Sequence, residues 1–146
     1  MMEMELLSYK ISKLEMENNL KSSCNVKLVN SVSSECNWIN GIAVITLTET
    51  LQQCRHPNQF YIQLTLEGNF LLKEVKSDAD KKEVHAIGHQ KLLVYANTIL
   101  SKLAVNTGLD GLDIKNIPLK PEDINFGPKP AAVKNEKIVR LCPNDK

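Results

Sequence analysis

Aromatic side chains are scarce in this chain of 146 residues: Phe, Tyr and Trp together make up 5%, with a single Trp. Aromatic residues usually anchor apolar recognition surfaces, so their scarcity argues against a broad aromatic binding site. A dominant charge is also lacking. Lys and Arg number 18 against 17 Asp and Glu, so no overall field draws the chain to nucleic acid. No apolar run approaches the roughly 20 residues that a membrane-crossing helix needs. Met1 to Glu5 carry acid where a secretory leader carries base. The expectation is a cytoplasmic protein with no membrane insertion and no nucleic acid partner.

Catalytic signatures are missing as well. The sequence holds no Gly-rich phosphate loop, no GxSxG elbow and no dense carboxylate cluster. Cys24, Cys36, Cys54 and Cys142 form no CxxC pair. In a chain long enough to bury a core of its own they fit reduced, partly buried thiols, the alternative being a metal site assembled across the fold. Cys36 near Trp38 has no histidine beside it in sequence and reads as an idle thiol rather than a nucleophile. His85 and His89 stand four apart on a predicted helix, a spacing that allows metal binding. Between them lie Ala86, Ile87 and Gly88, with no Glu of the HExxH kind, so a solvated helix face is the simpler reading. The expectation is no enzyme, no cofactor and no metal.

What is present is alternation. Leu7, Tyr9 and Ile11 take one side of the first apolar stretch, then the phase shifts to Leu14 and Met16, which predicts a strand with a bulge. Val26, Leu28 and Val32 offer a weaker second strand among Asn and Ser. Gly41 opens a third, GIAVITLTETL. In QFYIQLTLEGNFLL, Phe60, Ile62, Leu64 and Leu66 share one face while Tyr61, Gln63, Thr65 and Glu67 share the other, as in an antiparallel strand covered on one side. Gly68 suggests a bulge before Phe70.

Ser77, Asp78 and Asp80 then supply helix-start residues, and helical periodicity runs to Gly108, with Gly88 expected to break it in two. On a helical wheel Leu92, Leu93, Tyr95, Ala96, Ile99, Leu100, Leu103 and Ala104 fill an arc of about 180°, wider than the roughly 100° stripe of a surface helix. Two partners are expected for it: the sheet of its own chain and the same helix of a second copy. A short last helix from Pro121 is possible. One domain is expected over residues 1–127, followed by a flexible tail, 128–146, in which no apolar period is sustained.

The strand order closing on Gly68, Asn69 and Phe70, followed by Tyr95 and Ala96 within a helix, Ile99 and Leu103 leading to Gly108, and a final Asn125 and Phe126, resembles the SecB family over roughly residues 5–126. Each motif is short, and their order and spacing carry the resemblance. Val94 and Asn97 stand where the family has Pro and Arg, marking a divergent sequence.

The resemblance implies an α+β fold, a four-stranded antiparallel sheet with a long helix and a short C-terminal helix on one face. It implies a tetramer built as a dimer of dimers, the long helices between them. It further implies an ATP-independent holdase, a chaperone that binds unfolded polypeptide clients in apolar grooves, as in protein export. On alternation and resemblance together, the groove residues are Ile42, Val44, Phe60, Ile62, Leu64, Phe70, Leu112, Ile114 and Ile117. The oligomer interface is Leu92, Tyr95, Ala96, Ile99, Leu100 and Leu103. Glu17, Tyr61 and Gln63 mark a docking face for a folded partner. Family members that deliver clients to the SecA motor use acids on that face and an acidic tail. Here only Glu17 matches, Lys13 and Gln63 occupy acid positions and the tail is basic, so the resemblance does not carry SecA docking. The alternative is an adaptor or dedicated chaperone of the same fold, serving one partner such as an antitoxin, with its grooves filled by its own side chains.

Overall fold

In a computed structural model the chain is α+β. The structure describes residues 3–19, 24–53, 60–106 and 131–141, of which 24–27, 104–106 and 131–141 are described by backbone alone. Strands β1 (Glu3–Asn18), β2 (Cys24–Ile39), β3 (Ile42–Gln53) and β4 (Phe60–Lys73) precede helix α1 (Asp78–Asn106), and a further strand, β5 (Ala131–Leu141), ends the described chain. All neighbouring strands run antiparallel, in the order β1-β4-β3-β2-β5.

The expected four-stranded sheet and its long helix are present, and the sheet has one strand more. Ala131–Leu141 falls in the stretch expected to be a flexible tail, yet it pairs with β2 from Cys24↔Leu141 to Ser34↔Ala131, so the expected boundary at residue 127 cuts through the sheet. The reason is local. Once β3 has paired with one side of β2, the other side presents a row of unpaired backbone donors and acceptors, and any segment that reaches it gains a ladder. Val133, Val139 and Leu141 fall on one parity of β5, but Asn135 and Lys137 interrupt it and Ile138 falls on the other, so its sequence sustains no apolar period. The short helix expected from Pro121 lies outside the described residues.

Each strand forms for a reason legible in its residues. In β3 and β4 burial alternates residue by residue, with Ala43, Ile45, Leu47 and Leu51 opposite Phe60, Ile62, Leu64, Leu66 and Phe70 under the helix. β2 and β3 meet through Asn40 and Gly41, whose φ angles of 45° and 79° are both left-handed, the conformation that a two-residue hairpin turn requires. β1 carries the expected bulge between Ile11 and Lys13, and a second between Leu6 and Ser8.

α1 starts where the sequence places caps. Ser77 Oγ accepts from Asp80 N at 3.1 Å, and the Asp80 carboxylate accepts from Lys76 N at 3.0 Å. The helix runs unbroken through Gly88, which corrects the expected break. A Cβ there would run into the Ile45 side chain, with Met4 Cε at 3.2 Å, so the glycine lets helix and sheet approach closely. Gly68 is likewise no bulge, for the ladders on both sides of β4 pass through it without a shift. A Cβ there would meet Leu92 Cδ2 at 2.8 Å.

Candidate functional site

The two sheet faces differ in chemistry. One is covered by α1. The other presents cross-strand rows that are polar through the middle: Ser33, Thr48, Thr65 and Lys13 align in one, and Ser31, Thr50, Gln63 and Glu15 in the next. Thr48 Oγ1 and Thr65 Oγ1 share a hydrogen bond of 3.2 Å across these strands. Glu17 is in register with Tyr61, and Gln63 lies on the same face one pair along, so the three expected docking residues do converge. At the far end, Ile39, Ile42, Leu71 and Glu5 form an apolar row ending in an acid, and a shallow hollow lined by Glu3, Met4, Glu5, Leu71 and Lys73 lies beside it.

The expected groove is not one surface. Phe60, Ile62, Leu64 and Phe70 are wholly buried, at 0% exposure, in the core of their own chain. Ile42 and Val44 are half-buried on the opposite face, because the register Ile42↔Leu71 and Val44↔Asn69 aligns the even residues of β3 with the odd residues of β4. Leu112, Ile114 and Ile117 lie outside the described residues. The expected oligomer interface is corrected in the same way. Leu92, Ala96 and Leu100 are fully buried in the core of their own chain, so most of the wide apolar arc is absorbed by one sheet. Ile99 and Leu103 pack partly against that core, and of the six only Tyr95 stands open, at 38% exposure.

The exposed apolar surface lies elsewhere. β1 is an edge strand, paired among the described residues with β4 alone. Tyr9, Ile11 and Leu14 are in register with Gly68, Leu66 and Leu64, on the helix side of the sheet, yet α1 leaves them 42–48% exposed. Leu7, extruded at the first bulge, is 50% exposed. Tyr9 stacks on Tyr95 with ring centroids 4.5 Å apart, and Val94 on the same helix is 45% exposed. The alternation of β1 was readable in the sequence. Its lack of a cover was not, since that depends on where the helix crosses.

A second cluster is buried. Ser34 Oγ lies 2.9 Å from His85 Nε2 and 2.6 Å from His89 Nδ1. The serine hydroxyl has one proton, so it can donate to one imidazole and accept from the other. Burial, with hydrogen bonding to Ser34 working the other way, lowers the His85 pKa; burial and then the neighbouring His85 lower that of His89 to about 4. This corrects the solvated face expected for the two histidines. Among the described residues no three potential ligands gather around a metal position. Burial pushes the Cys36 thiol up to about 12, which removes the thiolate a nucleophile needs. A buried carboxylate, Glu49, accepts from Asn30 Nδ2 at 3.0 Å. Ser34, His85 and His89 are buried where β2 meets α1.

Compared with protein-family models and with curated proteins, the chain matches none. Among the described residues no helix is long and apolar enough to cross a membrane.

Proposed function

We propose that this chain is a polypeptide-binding protein of the SecB kind, an ATP-independent holdase that takes up non-native segments on apolar surface. One observation carries the reading: Leu7, Tyr9, Ile11 and Leu14 stand exposed along an edge strand, continuous through the Tyr9 and Tyr95 stack with Val94. Burying each such side chain is worth about 1.5–3 kcal/mol before the entropy of association, so a few of them give useful affinity without demanding a particular sequence. A second copy of the chain competes for the same surface, and an oligomer that leaves part of it free is the expected working form.

The second reading, a dedicated adaptor for one partner, draws support from a different observation. Four positions of the expected groove are buried in the chain's own core, and the open sheet face is polar through its middle rather than apolar. That face, with Glu17, Tyr61 and Gln63 together, suits a folded partner.

Suppression of aggregation of an unfolded, apolar-rich model protein, run with light scattering for mass, separates the two. A holdase keeps the client soluble without nucleotide, and Ile11→Ser with Leu14→Ser weakens that effect while leaving folding intact. No suppression by a well-folded protein removes the holdase reading and leaves the adaptor.

A further inference from the structure

Resting on the polypeptide-binding reading, we infer that mild acid enlarges the apolar surface open to a client, because Ser34, His85 and His89 form a latch between β2 and the first half of α1 that protonation opens. The latch turns on one oxygen. Ser34 Oγ lies 2.9 Å from His85 Nε2 and 2.6 Å from His89 Nδ1, and all three residues are buried. One hydroxyl proton and one bare ring nitrogen complete this pair of bonds. A further proton on that nitrogen turns two N–H groups onto the same oxygen. With both of its nitrogens protonated, His89 also carries a buried Nε2 donor to which the described residues offer no acceptor. Burial and then the neighbouring His85 hold the His89 pKa down to about 4, in keeping with this geometry.

Among the described residues, little around the latch answers a positive charge. On its helix side β2 brings Cys36 and Trp38 beyond Ser34, and Ala131 of β5 is in register with Ser34. Near Gly88, β3, β1 and β4 bring Ile45, Met4 and Phe70. The one buried acid of β3, Glu49, is held by Asn30 Nδ2 at 3.0 Å, while the bonds of both rings go to Ser34. The Tyr9 phenol of β1 stacks further along, on Tyr95. On α1 itself Glu83 is exposed, and Lys81 sets its ammonium 5.8 Å from the Trp38 ring centroid, adding like charge one turn before His85. The helix also has a place to give way. Gly88, a weak helix former, lies between the two histidines, and beyond it Leu92, Leu93, Ala96 and Leu100 anchor the second half in the core. Release of the first half about Gly88 bares Val84 and Ala86 of the helix and Trp38 of the strand, all now buried or partly so.

The test uses the full chain and the double variant His85→Gln with His89→Gln, whose amides keep hydrogen bonding but take no proton. Segment-resolved hydrogen exchange, corrected for the intrinsic effect of pH, gives the opening of each half of α1. Emission from Trp38, the single Trp, reports the strand beneath the first half. From pH 7.5 to 5 the opening of residues 84–87 should rise roughly thirtyfold through His89 alone, whose pKa goes from about 4 when latched towards 6.5 when released. Residues 92–100 should stay better protected throughout. Trp38 emission should shift to the red, and binding of an apolar dye and suppression of client aggregation should both rise, reversibly. The double variant should show none of these changes. The same rise in that variant, or equal opening of the two halves at every pH, would overturn the inference. If the variant does not fold, urea decides on the unaltered chain: opening of residues 84–87 that is insensitive to low urea supports a local latch, and opening that follows global unfolding defeats it. Acid opening without suppression of aggregation at either pH removes the holdase and leaves the latch. Suppression at both pH values, with the halves of α1 opening together, does the opposite.

Discussion

Ser34 Oγ lies 2.6 Å from His89 Nδ1, and the same oxygen reaches His85 Nε2, so one strand hydroxyl ties two helical histidines to β2. The arrangement suits two neutral rings. Adding a proton to either puts a charge under the helix, where His89 is fully buried and its Nε2 has no partner among the described residues.

Stability should therefore fall on acidification. The folded pKa of His89 is depressed from 6.5 to about 4, so the unfolded chain takes up the proton first. The stabilising effect of the neutral ring is complete above about pH 6.5 and is lost as pH drops towards 4, with a loss on the order of 3 kcal/mol from this residue. His85, also lowered, adds in the same direction. Urea unfolding measured across this range checks it, and His89→Gln should flatten the profile.

Gly88→Ala should destabilise the protein. In an exposed helix the change would stabilise by about 1 kcal/mol, but here the new methyl meets Ile45 and Met4, and overpacking of this kind costs about 1–3 kcal/mol. A lower unfolding midpoint that recovers in the double variant Gly88→Ala with Ile45→Val would tie the effect to that contact. A gain in stability would mean that helix and sheet separate easily.

β5 should be visible in hydrogen exchange. Its ladder with β2 runs over its whole length, so amides within Ala131–Leu141 should exchange more slowly than those of an unstructured chain, and Cys24 to Ser34 should lose protection when the chain is ended at residue 130. Uniformly fast exchange in Ala131–Leu141 would return this segment to the tail that the sequence alone suggested.

The sequence by itself determined the local elements. Alternation marked β1, β3 and β4, the change of phase after Ile11 marked a bulge that is present, and Ser77 with Asp80 marked the start of α1. It also determined that the sheet has a polar face, since the order of Thr, Gln and Glu in β3 and β4 is local information. What it did not determine is which parity of one strand lies beside which parity of the next. Register decided that, separating Ile42 and Val44 from Phe60, Ile62, Leu64 and Phe70 and dissolving the expected groove. The crossing of the helix decided the rest. It buried Leu92, Ala96 and Leu100, left Tyr9, Ile11 and Leu14 open, and brought His85 and His89 onto Ser34, more than fifty residues earlier in the chain. Periodicity is set by the geometry of a few adjacent peptides, whereas cover is set by contacts between segments far apart in sequence, and only the folded chain brings those together.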